Sequence, residues 1–108
     1  MLTVTEVPTK SIRLSVQIED MEIGRAWLVL IKNDLHLKPY GLLEDVWVDS
    51  NHRKQGHATA LVQKIIEIAK QEGCYKIIAT SRFEREKVHD LYKHLGFISH
   101  GFEFRINL

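Results

Sequence analysis

Apolar and polar residues alternate strictly through "SIRLSVQIE", with Ile12, Leu14, Val16 and Ile18 on one side and polar residues on the other. A period of two predicts a half-buried strand. "DMEIG" reads as a turn region, and "RAWLVLIK" as a second, more continuously apolar strand. Turn chemistry at Asn33-Asp34 and from Pro39 to Gly41 separates it from a third strand, "LLEDVWVD". Three strands this close in sequence favour an antiparallel meander.

The period then changes. Ala58, Leu61, Val62, Ile65, Ile68 and Ala69 recur at three and four residues, while Lys64, Glu67, Lys70 and Gln71 fill the other side. That is an amphipathic helix, with Gly73 placed to end it. "YKIIATS" follows as a short β-branched strand, and strand, helix and strand at this spacing make a βαβ crossover with parallel strands. "EREKVHDLYKHLG" is a second helix, with Val88, Leu91, Tyr92 and Leu95 as its apolar stripe and Gly96 as its stop. "FISHGFEFRINL" is expected to hold two short strand-like pieces about a turn at Gly101. The class is therefore α+β: one mixed sheet, an antiparallel meander leading into a βαβ crossover, with two main helices packed on it.

Composition narrows the function classes. The 108 residues suggest a single domain over 1–108, and 44% hydrophobic with 27% charged residues is ordinary for a globular protein. Fifteen basic residues nearly balance fourteen acidic ones, so the net charge points to neither a nucleic acid nor a membrane partner. Any anion binding must be local. Cys74 is the one cysteine, so no internal disulfide forms, and its place between a helix end and a strand start reads as a buried, inert thiol. His36, His52, His57, His89, His94 and His100 show no metalloprotease spacing, and His89 and His94 fall on different helix faces. No metal is expected. No apolar run is long enough to span a bilayer, and "MLTVTEVPTK" lacks the order of a signal peptide, so the default expectation is a cytoplasmic protein.

The chemistry concentrates in "DSNHRKQGHATAL", where the crossover helix begins. A helix start presents unpaired backbone N–H groups and the positive end of its dipole. Gly56 and Ala58 leave room for an approaching phosphate, and Arg53 and Lys54 add charge. Helix starts otherwise prefer acidic residues, and none follows Asp49 here. The ordinary alternative is a solvated basic turn. Neither GxxxxGK[ST] nor GxGxxG is present.

"RKQGHA" resembles the R/Q-x-x-G-x-G/A signature with which GNAT-superfamily N-acetyltransferases hold the pyrophosphate of acetyl-CoA, with Arg53, Gly56 and Ala58 at its defining positions. "LLEDVWVDS" looks like the family's strand into that loop, and "LYKHLGF" is similar to its "FYEKLGF" close. Together these features cover about the last two-thirds of the chain. "EDVWVDS" and "GCYKII" also resemble the glucosamine-6-phosphate N-acetyltransferase branch, although that branch places an acidic residue where this chain has Thr80. The family usually begins with a strand and two helices that wall the acceptor site; only "MLTVTEVPTK" precedes the first clear strand here. The expectation is a wall that is absent, shortened or supplied by a second subunit, which makes a homodimer one solution.

The resemblance implies an acyltransferase that moves acetyl from acetyl-CoA, as co-substrate, directly to a primary amine on a small molecule or a protein. It implies that backbone N–H groups of Val46, Trp47 and Val48 meet the acetyl carbonyl beside a β-bulge, and that Arg53, Lys54, Gln55, Gly56, His57 and Ala58 cradle the pyrophosphate. Tyr92 takes the family's general-acid position, against its ordinary reading as a core aromatic. Glu44 is the candidate base, just upstream of the carbonyl-binding segment, with Asp45 or a water chain as alternatives. The rival reading is a non-catalytic module that senses acetyl-CoA or regulates a partner protein.

Overall fold

The computed structural model describes every residue from Met1 to Leu108. Three antiparallel strands come first: β1 (Lys10–Ile18), β2 (Met21–Ile31) and β3 (Tyr40–Val48). β1 and β2 are joined by Glu19 and Asp20, both left-handed at φ 49° and 66°. That two-residue geometry matches the twist of the flanking strands and so closes a tight hairpin. A short 3-10 turn at Ser50–His52 leads to helix α1 (His57–Gln71), strand β4 (Ile77–Ala79) and helix α2 (Glu86–His94). β4 pairs parallel to β3, so the sheet order β1-β2-β3-β4 follows the chain order. The expected meander and crossover are both present.

The core lies between the sheet and α1. Ala26, Leu28 and Leu30 of β2 and Leu43 of β3 meet Leu61, Val62, Ile65 and Ala69 of α1 in one buried cluster. Ile12, Leu14 and Val16 join it from β1, and Tyr92, Leu95 and Phe97 from α2 and its end. Both helices thus contribute to one side of the sheet, and the other side has no helix over it. That second side carries Arg13, Arg25, Trp27 and Trp47. Arg13 lies over the Trp27 ring at 5.8 Å and Arg25 over the Trp47 ring at 4.8 Å. Cationic side chains flattened on indoles keep such a face wettable while covering its apolar area.

Two expectations are corrected. "YKIIATS" contributes only Ile77–Ala79 to the sheet, because β3 turns out of line just beyond their pairing (Leu43 opposite Ala79). The strand-like pieces expected after Gly96 do not form: no strand follows α2, and residues 98–108 are exposed. An isolated strand has no ladder partner and no face to bury, so the alternating pattern alone does not fold it.

Candidate acetyl-transfer site

β3 organises the site. Its pairing with β2 slips between Glu44, opposite Trp27, and Trp47, opposite Arg25. Two residues, Asp45 and Val46, therefore face one, and Asp45 takes a left-handed φ of 50°. This is a β-bulge, which bends a strand and re-aims its side chains. Asp45 swings onto Arg25, accepting hydrogen bonds from Nε at 2.8 Å and from Nη2 at 3.2 Å. Because β3 runs on to Val48 while β4 pairs no further than Leu43, the segment from Glu44 to Val48 has no strand on its β4 side. Val46, Trp47 and Val48 lie along that open seam.

The loop after β3 is held from below. Asp49 accepts from the Asn51 amide at 3.1 Å and pairs with the His52 ring at 3.0 Å. Those contacts, the His52 bond first, hold its carboxyl below the usual aspartate range. Arg53 reaches back, its Nε donating to the Val48 carbonyl at 3.2 Å. Lys54 and Gly56 are left-handed, at φ 61° and 84°. From Arg53 to Thr59 no backbone N–H donates to any group of the chain, and no side chain caps α1. A Cβ added at Gly56 would touch nothing within 4 Å, so the space before these donors is open. Gln55 and His57 pair side chain to side chain at 3.3 Å, and His57 and Ala58 begin the helix half-buried. Successive free N–H groups, a helix start without an acidic residue and two exposed cations suit a pyrophosphate.

α2 delivers the phenol. At its end the Gly96 amide bonds the Lys93 carbonyl at 3.1 Å and the Phe97 amide bonds the Tyr92 carbonyl at 2.9 Å. This is the Schellman arrangement, made possible by Gly96 at φ 101°. It folds the Phe97 ring back onto Tyr92, with centroids 5.3 Å apart. The quoted "LYKHLGF" thus has a mechanical reading: glycine turns the chain, and phenylalanine props the tyrosine. Burial pushes the Tyr92 phenol above its ordinary pKa, and the charge of Glu44 pushes it further. The candidate acid and base are therefore within electrostatic reach of one another across the seam.

The bulge also separates the two carboxylates. Asp45 is tied to Arg25, whose hydrogen bond lowers its pKa. Glu44 is exposed and makes no ion pair. Arg25 and its lock on Asp45 were not singled out from the sequence. The left-handed conformation of Asp45 in the bulge leaves no mark in a hydrophobicity pattern, beyond aspartate's tolerance of it. Cys74 is half-buried, and burial, aided by the charge of Glu72, raises its thiol pKa. A thiol held protonated there is a packing group. A shallow depression of about 430 Å³ among Leu35, His36, Leu37, Lys38 and Tyr75 lies at the other end of β3 and shares no residue with the loop. No helix is long and apolar enough to cross a membrane.

A mixed sheet splayed at a bulge, with a helix start full of free donors at the seam, defines a fold class that comparison identifies. Residues 16–97 match the acetyltransferase (GNAT) family, and the chain belongs to it. It is 40% identical over 68 residues to a glucosamine 6-phosphate N-acetyltransferase of Trypanosoma brucei brucei, covering 63% of this chain and 44% of that protein. A probable glucosamine 6-phosphate N-acetyltransferase 2 of Oryza sativa subsp. japonica is 36% identical over 66 residues, covering 61% of this chain and 38% of that one. The chain thus spans less than half the length of these curated relatives. The crystal structure of a Trypanosoma brucei acetyltransferase superposes with a TM-score of 0.83 at 31% identity, over 91% of this chain and 69% of that one.

Proposed function

We propose that the chain is an N-acetyltransferase that moves acetyl from acetyl-CoA to a primary amine by direct attack. The observation that carries this reading is the grouping along one seam: the bulged end of β3, the donor-rich loop 53–59, and Tyr92 within the field of Glu44. Membership of the acetyltransferase family supports it. Acetyl-CoA, when bound, supplies an acetyl group already activated as a thioester.

The chain's own residues divide the remaining work. Backbone donors from Arg53 to Ala58, with the charges of Arg53 and Lys54, hold the pyrophosphate and set the depth of the pantetheine. The donors of the Val46–Val48 segment that face the seam rather than β2 meet the acetyl oxygen, where negative charge develops as the amine attacks. Glu44, free of any ion pair, takes a proton from the incoming ammonium; Asp45, neutralised by Arg25, is the poorer base. The carbon–sulfur bond breaks once the carbon–nitrogen bond has formed; Tyr92 gives its proton to the departing thiolate, and the nitrogen's second proton returns to the phenolate, leaving a neutral amide and a free thiol. The raised phenol pKa makes Tyr92 a weaker acid than a free tyrosine and favours recovery of its proton after the step. The amino-sugar-phosphate acceptor named for the relatives is one candidate among several amines, since Thr80, exposed beyond β4, supplies no carboxylate where that branch is expected to carry one.

The test is thiol release. The protein is mixed with acetyl-CoA and a panel comprising an amino-sugar phosphate, a polyamine, a lysine peptide and a free-terminus peptide. Free thiol should appear with one amine class. Tyr92→Phe should lower turnover by roughly 10²–10⁴-fold, the usual contribution of a positioned acid, while the Kd for acetyl-CoA stays nearly constant. Tight acetyl-CoA binding with no amine-dependent release would replace this reading with that of a sensor module.

A further inference from the structure

Two arginine–carboxylate pairs lie on the open face of the sheet, and they differ in what they span. Arg13 of β1 meets Glu22 of β2 at 2.7 Å and lies over Trp27, away from the irregular end of β3. Arg25 of β2 meets Asp45 at the point where β3 leaves its ladder. Arg25 also holds the far side of that point. Its Nε and Nη2 donate to Asp45 at 2.8 and 3.2 Å, while its guanidinium carbon lies 4.8 Å from the centre of the Trp47 ring. Trp47 is its register partner across the two strands. One guanidinium thus grips the residue before Val46 and the residue after it. A planar fork can bond a carboxylate with its edge and stack on an indole with its face; an ammonium is a point charge and does not do both.

The backbone there needs a grip. Asp45 stands at φ 50°, which aspartate adopts less readily than glycine. Side-chain directions show what the turn achieves. Leu43 is buried in the core and Val46 packs against that core. Glu44 lies opposite Trp27, and Asp45 lies on Arg25. A regular strand would alternate, sending Asp45 inward and Val46 outward. The bulge reverses both, so two successive carboxylates face the open side. The extra residue of a bulge is also left out of the ladder, which frees an amide for a ligand.

We propose that Arg25 is a positioning residue for acetyl transfer: by holding Asp45 and Trp47 together it keeps the bulge in the conformation that aims an amide of the Val46–Val48 segment across the seam at the acetyl oxygen. The role rests on acetyl transfer taking place at this seam. Arg25 acts through the backbone of β3. Its ion pair is exposed, with 32% of the Arg25 side chain and 50% of the Asp45 side chain open to solvent. Such pairs add little to overall stability. Losing this one should therefore disturb the aim of the amide far more than the folding of the chain, whereas the Arg13–Glu22 pair, which spans no part of the bulge, should affect neither.

The aim of the amide can be read on the ligand itself. Acetyl-CoA labelled at its acetyl carbonyl is bound to the full chain, and the thioester stretch is recorded by isotope-edited infrared difference spectroscopy. A hydrogen bond to the carbonyl moves that band to lower frequency, and the parent should show the shift. Arg25→Ala should lose most of it. With the amine that the parent accepts, the same variant should lower kcat roughly 10²-fold, the scale of a misplacement of about 1 Å. Its Kd for acetyl-CoA should hardly change, because the donor-rich loop 53–59 is untouched. Adding Asp45→Gly to Arg25→Ala should restore much of the band shift and of kcat, since glycine enters the left-handed region without a brace. Arg13→Ala should leave the band where it is. Urea midpoints check that each variant is folded; if Arg25→Ala is not, Arg25→Lys replaces it, keeping charge and stem without the fork. An unshifted band in the parent would remove the acetyl-transfer reading and this role with it. A shifted band indifferent to Arg25→Ala, a double variant no better than the single one, or an equal loss in Arg13→Ala would overturn the positioning role alone.

Discussion

Two side chains on different elements, Tyr92 of α2 and Glu44 of β3, report on each other through a titration. A carboxylate near a phenol opposes formation of the phenolate, so it raises the phenol pKa, and burial raises it more. Glu44→Gln removes only the smaller of these effects. The phenol should then titrate at lower pH than in the parent, yet still above the ordinary ~10 of a free tyrosine. Difference absorbance of the phenolate against a Tyr92→Phe reference measures it; an unmoved titration would mean that the two groups do not act on one another. The same raised pKa links to stability. The neutral phenol's contribution is full below the unfolded value and is lost as pH climbs through the folded one.

At the scale of elements, helix α1 provides most of what the sheet packs against, and Ile65 is fully buried at its centre. Ile65→Ala should destabilise the protein by about 2–5 kcal/mol, since it removes buried methyl groups and leaves a cavity. A urea melt with an unchanged m-value checks this; a loss below about 0.5 kcal/mol, typical of surface sites, would contradict the assigned core. Periodicity made these elements legible beforehand. The 3.6-residue stripe of α1 and the two-residue alternation of β1 follow directly from which face meets the core. The loop at Arg53–Ala58 was legible for a different reason, because glycine and small residues between cations leave a chemical rather than a geometric trace. What stayed hidden depends on contacts between segments. The bulge in β3 was expected only from the family resemblance; the lock of Asp45 on Arg25 needs the register between two strands, and the short span of β4 needs the bend of β3. The Phe102–Leu108 alternation was read as strand because period alone cannot say whether a partner strand exists.

Over the whole molecule, the sheet separates two environments. One side is covered by the helices. The other is paved by Arg13, Trp27, Arg25 and Trp47, and it carries Glu44 and the bulge that forms the candidate site. Sheet order and chain order coincide from β1 to β4, and this has a consequence in time. β2 and β3 each pair with a neighbour already synthesised, so the meander needs only local closures, and hairpins form in about 1–10 μs. β4 must wait for α1 to cross over, a non-local step with a larger entropic barrier. Pulsed hydrogen exchange during refolding should protect the amides of β2 before those of β4; the reverse order would contradict this. The seam between β3 and β4, where acetyl transfer is proposed, therefore closes only after the meander is in place.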